Sequence, residues 1–217
     1  MIAGAAAAAF WLCAWVLWLN VQARAYATHI HDRGALPSTT FSSPSSHVDP
    51  RLSRIAEAVA GRGVEVRCWS VSDWYRIDAE RAEVDHDPER LGLRAAFVSY
   101  DRRRINMGTE VCGDLARGVE GVRAGDETWW DLIWGIGLLA HESMHVSGIG
   151  SEAEAECLGM QEIPRVARLL GLASDEAQRV AQRYWKGWYP LRDPKYRSAE
   201  CRDGGDLDRT PGSEVWP

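Results

Sequence analysis

One segment of this chain constrains its fold more than any other. The run Trp129-Trp130-Asp131-Leu132-Ile133-Trp134-Gly135-Ile136-Gly137-Leu138-Leu139-Ala140 is apolar nearly all round and reads as a buried helix. It continues without a break into His141-Glu142-Ser143-Met144-His145. On a helix, positions 141 and 145 are one turn apart and share a face. Two imidazoles and a carboxylate in so apolar a helix must find partners, because buried polar groups without them are costly. A metal ion held by both imidazoles, with Glu142 beside a water on that ion, satisfies all three. The blander alternative is a pair of helix histidines bonded to nearby carbonyls, with Glu142 solvated. It leaves more buried polar groups to satisfy.

A hydrolytic zinc site uses three protein ligands and one open position. After His145 comes Val146-Ser147-Gly148-Ile149-Gly150, whose glycines suit a helix end and a sharp turn. Ser151 then reads as an N-cap, with Glu154 completing a capping box. The expected order is helix, tight turn, second helix, with the second helix starting beside the histidines. Glu152, Glu154 and Glu156 all lie near that start. Glu154 has the capping role. Glu152 and Glu156 share a face, four residues apart. The simplest assignment makes Glu152 the third metal ligand and Glu156 the acceptor for a ligand imidazole. The reverse stays open, because side-chain direction at a helix start does not follow from spacing.

At these residues the chain resembles the zincin metallopeptidases. The motif helix followed by Glu152-Ala153-Glu154-Ala155-Glu156 is similar to the gluzincin pattern, although the third ligand comes sooner in the chain. His141 to Gly148 is also similar to the opening of the metzincin motif. There Ser151 stands at the position of the last histidine, and no Met-turn follows. His141 to Gln161, with the tail Cys201-Arg202-Asp203-Gly204-Gly205, looks like small exported zincin-like proteins of actinobacteria. The resemblance implies a zincin fold and a Zn2+ cofactor but assigns no substrate; a peptide or protein substrate is what metal-assisted hydrolysis at the motif would suit. It implies an added His or Tyr at the oxyanion, for which Tyr100, Tyr184, Tyr189 and Tyr196 are candidates.

A net charge of −6 argues against a nucleic-acid partner. The run Arg102-Arg103-Arg104 is too short for a binding surface and marks a turn between strands. Ile2 to Leu19 is an unbroken apolar stretch with a length between a signal-peptide core and a membrane span. Ala25-Tyr26-Ala27 fits a cleavage site, the absence of Lys or Arg before the stretch weakens that reading, and the length of the stretch fits an uncleaved anchor. Residues 1–27 are therefore a signal peptide or an N-terminal membrane anchor. Residues 28–50 read as a flexible Ser/Pro-rich linker in which His29, His31 and His47 are dispersed. Either reading of the N-terminus places the catalytic part, 51–217, outside the cytoplasm. Of five cysteines, Cys13 lies in the apolar stretch. The other four suggest two disulfides with three connectivities. Cys68–Cys112 and Cys157–Cys201 are favoured, the second stapling the tail to the helix after the metal turn.

The fold class expected is α+β. A helix runs over 49–60, a strand over 64–69, a hairpin over 95–107 and a short helix over 111–119. Long helices come next, near 127–147, 151–170 and 174–186, with Pro164 kinking or breaking the second. One hairpin strand is the candidate edge to which a peptide could add. Three functional readings fit this sequence. The first is a zinc-dependent extracytoplasmic peptidase in which His141, His145 and Glu152 hold the metal and Glu142 is the general base. The second is a non-catalytic, zinc-stabilised module of the cell envelope. The third is an interaction domain without a metal.

Overall fold

The computed structural model describes residues 46–85, 95–117, 127–212 and 216. The expected signal or anchor, most of the linker, and Cys13, His29 and His31 lie outside the described residues. The chain divides after Ser43, and every described element belongs to the unit from Pro44 onward.

Local signals set the first elements. Strand β1 (His47–Val48) leads into helix α1 (Pro50–Ala60). Asp49 caps α1 by accepting from the backbone N–H of Arg51 and Leu52, and Gly61 closes it at φ 69°. Pro50 supplies its fixed φ at the first position, where no N–H is needed. Next come strand β2 (Glu65–Trp69), helix α2 (Val71–Asp85), strand β3 (Ala96–Ser99), strand β4 (Arg104–Gly108) and helix α3 (Thr109–Arg117). The sheet order is β1-β2-β4-β3. β2 and β4 run parallel, with Val66 opposite Ile105 and Cys68 opposite Met107. β3 pairs antiparallel to β4 and forms one edge of the sheet. The architecture is therefore α+β: a small four-stranded sheet with helices, most of them in the second half of the chain.

Two points in this first half differ from the sequence expectation. The end of the supposed linker is part of the sheet, since His47 pairs with Cys68 and Val48 with Arg67. Helix α2 fills a stretch in which the sequence suggests no element. That stretch is dominated by charge, with Arg76 pairing Asp73 and Glu80 along one face, so its apolar stripe is weak.

The core is built on helix α4 (Glu127–Ser147), which carries the histidine motif. Leu132, Ile133, Ile136, Leu139 and Met144 on α4 are essentially inaccessible. Helix α5 (Glu152–Leu170) packs along α4, and α1, α3 and the sheet cover its other faces. Helix α6 (Ser174–Arg183) lies against α5 and passes into a π-helical turn over Tyr184–Trp188. Pro164 neither breaks nor ends α5, which runs on to Leu170. Ile163, Pro164, Val166 and Ala167 are all buried there. Tertiary packing on that face outweighs the one backbone bond that proline removes.

One contact brings α5 close enough to matter for the site. A side chain at Gly159 would have its Cβ 2.9 Å from the Cα of His141, so glycine lets the two helices touch at the motif itself. Both favoured disulfides are present, Cys68–Cys112 and Cys157–Cys201, each spanning 44 residues of sequence. Among the described residues no helix is long and apolar enough to cross a membrane.

Candidate metal centre

The turn after the motif is as tight as its glycines suggest. Gly148 takes φ 110°, and the Ile149 N–H donates to the Met144 carbonyl at 3.2 Å. Ser151 caps α5 by accepting from Glu154 N–H at 3.4 Å. These two devices place the start of α5 directly over the histidines.

Three donor atoms converge. His145 Nε2 lies 3.1 Å from His141 Nε2, and Glu152 Oε2 lies 3.2 Å and 3.3 Å from the two nitrogens. Donor atoms bound at about 2.0–2.1 Å round a tetrahedral ion stand about 3.3–3.4 Å apart. The triangle is within a few tenths of an ångström of that size. A single proton satisfies only one edge of such a triangle, whereas one cation satisfies all three corners. His141, His145 and Glu152 thus form a group that can hold a metal ion.

The outward nitrogens fix the orientation of both rings. His145 Nδ1 is 2.7 Å from the Ile149 carbonyl, which only accepts, so Nδ1 carries the proton and Nε2 presents its lone pair. His141 Nδ1 lies 2.9 Å from Glu156 Oε2. Its N–H is bent away from a straight line to that oxygen, but the attraction at this distance in a buried place survives the bend. The two glutamates therefore stand on opposite sides of the His141 ring. Glu152 meets both Nε2 atoms, and Glu156 is on the far side of the His141 ring. Glu156 also accepts from Tyr184 Oη at 2.8 Å and from Arg192 Nη2 at 3.3 Å. Tyr184 and Arg192 are the residues that sequence reasoning missed in this role. The motif suggests Tyr184 only for the oxyanion, and no local pattern ties either residue to Glu156.

The candidate tyrosines separate. The hydroxyl of Tyr184 is committed to Glu156, and that of Tyr189 donates to the Ser198 carbonyl at 3.3 Å. Tyr196 has its ring 5.8 Å from the His141 ring. Tyr100, just after β3, is exposed, and partial burial together with the charges of Glu142 and Glu152 lifts its pKa. Tyr100 and Tyr196 therefore flank the group. The His141 and His145 side chains are nearly closed off, whereas 38% of the Glu152 side chain is exposed, so the group opens on the Glu152 side.

A second set of donor atoms lies together at His47, Asp49 and Cys68. Cys68 is consumed by its disulfide and Asp49 by the α1 cap, so this set lacks the free ligands of the first.

Charge couples the main group tightly. Burial opposes protonation of His141, but the bonds to Glu152 and Glu156 override it and raise its pKa to about 9. Burial would raise Glu152, yet the two histidines hold it well below the usual carboxylate range. Burial pushes Glu142 up, against the pull of His141 and His145. In the metal-free protein the protonated His141 contribution is complete below its ordinary 6.5 and is lost as pH rises through about 9. The Glu152 contribution is present above its ordinary 4.5 and is lost as pH falls below it. Glu142, raised by burial, adds to the loss at high pH. Metal binding needs neutral imidazoles, so a metal stabilises most on the alkaline side. The Tm of metal-free protein should therefore fall between pH 6.5 and 9, while the rise in Tm on adding metal grows. A metal-free Tm that is flat or climbs over that interval would contradict the coupling.

Family models, curated proteins and solved structures were each compared with the chain, and none matches it.

Proposed function

We propose that the protein is a zinc-dependent peptidase of the zincin type acting outside the cytoplasm. The observation that carries this is the His141–His145–Glu152 triangle, with the buried carboxyl of Glu142 on the same helix turn. Two imidazoles and one carboxylate are a donor set suited to zinc, and three ligands leave the fourth position for chemistry. His141, His145 and Glu152 would hold the ion. Bound zinc would supply a water acidified towards neutrality and a Lewis acid for the scissile carbonyl. Glu142 would accept a proton from the attacking water and hand it to the leaving amine. Its burial, which favours the protonated carboxyl, suits it to carry a proton in transit. Tyr100 or Tyr196 would supply the hydroxyl that faces the oxyanion, on the strength of the Tyr196 ring beside His141 and of the Glu142 and Glu152 charges felt at Tyr100. Strand β3, an edge that packs against α4, offers its backbone to an extended peptide. The two disulfides support an oxidising, extracytoplasmic setting.

A non-catalytic zinc module is the competing reading. It calls for a fourth protein ligand, and Glu156 is turned instead to the Nδ1 of His141. The test is zinc content together with a mixed-sequence peptide library. The peptidase reading expects one zinc per chain, cleavage abolished by a chelator, and recovery on adding zinc back. Stoichiometric zinc without cleavage of any peptide would favour the module, and substoichiometric zinc after metal-replete expression would end both readings.

A further inference from the structure

We propose that Arg192 is a positioning residue of the metal centre, acting through Glu156 to hold the His141 imidazole with Nε2 towards the ion. The proposal rests on the metal reading of the His141–His145–Glu152 group. The Glu156 side chain is only 1% exposed, and a carboxylate so placed needs a full set of partners. It has four contacts. Oε1 accepts from Tyr184 Oη at 2.8 Å and lies 3.2 Å from Arg192 Nε. Oε2 lies 2.9 Å from His141 Nδ1 and 3.3 Å from Arg192 Nη2. The guanidinium thus reaches both oxygens, through a hydrogen bond from Nη2 to Oε2 and through charge alone from Nε to Oε1, and restrains the carboxylate between them. That restraint keeps Oε2 within 2.9 Å of Nδ1, where its charge favours a proton on Nδ1 and leaves Nε2 as the lone pair facing Glu152 and His145. Without Arg192 the carboxylate keeps Tyr184 as its one other partner and is free to rotate.

Arg192 is supplied from a part of the chain remote from every ligand, the segment between Tyr184 and Cys201. That segment is pinned at both ends. Tyr184 is 2% exposed and occupies space left by Gly137, where any Cβ would overlap its ring. Cys201 is bonded to Cys157, the residue after Glu156. Between them Trp185 stacks on Tyr189 with ring centroids 4.9 Å apart. The Tyr189 hydroxyl accepts from Ser198 N–H at 3.0 Å. The Arg192 guanidinium lies 4.1 Å from the Tyr196 ring centroid. The arginine is therefore held over Glu156 by its own scaffold, and the C-terminal arc is part of the centre.

The test measures Zn2+ affinity of the full-length protein by competition with a chromophoric chelator, and the visible spectrum of the Co2+ form. Arg192→Met should lose about 10–100-fold in affinity, as loss of a partner behind a metal-bound imidazole does. Its cobalt bands should shift with the altered histidine geometry. Arg192→Lys should recover part of the affinity, because it keeps the charge and loses the fork. Glu156→Gln should lose a similar amount, and the double variant should be no worse than the worse single, since both act on one contact. Wild-type affinity with unchanged cobalt bands in Arg192→Met, or losses that multiply in the double variant, would overturn the proposal. Should Arg192→Met fail to fold, Tyr184→Phe carries the same cycle with Glu156→Gln. It removes one donor and keeps the buried ring. A wild-type protein that takes up neither zinc nor cobalt would overturn the metal reading itself, a different result from failure of the Arg192 role.

Discussion

Glu142→Gln should leave the protein folded and metal-loaded while lowering peptide hydrolysis by about 10²–10⁴-fold, the usual range for a positioned acid–base group. The substitution is nearly isosteric, so the packing around a residue that is 5% exposed is kept. None of the three converging donor atoms belongs to Glu142, so zinc content should not fall. Burial already works against the charged form of this carboxyl, so a neutral amide removes that penalty and Tm should hold or rise. Zinc content, Tm and kcat/KM measured together separate the outcomes. Full activity in a metal-loaded Glu142→Gln protein would remove Glu142 from the mechanism. Lost zinc would instead assign it a role in holding the metal.

Removal of either disulfide should cost about 4 kcal/mol on the chain-entropy account, because the two loops have the same length. For a folded unit of this size that is a fall in Tm of roughly 8–16 °C. The two serine double variants should then differ where stability does not. Cys68–Cys112 joins β2 to α3, on the sheet side of the molecule. Cys157–Cys201 closes the arc that carries Tyr184 and Arg192 to Glu156. Cys157→Ser with Cys201→Ser should weaken zinc binding at temperatures where the protein is still folded, and Cys68→Ser with Cys112→Ser should not. Thermal melts and zinc competition on both variants check this. Equal zinc affinities in the two would mean that the arc keeps its place without its staple.

What is legible in the sequence is what local chemistry determines. The apolar run before His141 specifies a buried helix, and Gly148 with Ser151 specifies where it ends and the next begins. Spacing favours Glu152 over Glu156 only provisionally, because the choice turns on which side of the His141 ring each carboxylate reaches. Helix α2 is hidden because ion pairs along its surface replace the apolar stripe that marks a helix. The parallel pairing of β2 with β4 is hidden because the partners are far apart in sequence and no turn links them. Pro164 misleads in the other direction, since its intrinsic penalty is outvoted by burial. Tyr184 and Arg192 are invisible for the same reason as the parallel pairing: they reach Glu156 from 28 and 36 residues away.

The turn from His145 to Glu152 has a kinetic consequence. All three candidate ligands fall within a stretch in which the first and last are 11 residues apart. Closing so small a loop loses little chain entropy, and contacts this local form early. The helical hairpin can gather its donor atoms before the sheet has paired β2 with β4. A metal ion met at that stage would act as a template for the nascent α4–α5 packing and raise the population of the correct hairpin by mass action. Tyr184, Arg192 and the Cys157–Cys201 bond would then close over a centre that already exists, making the order of assembly ligands first and supports second.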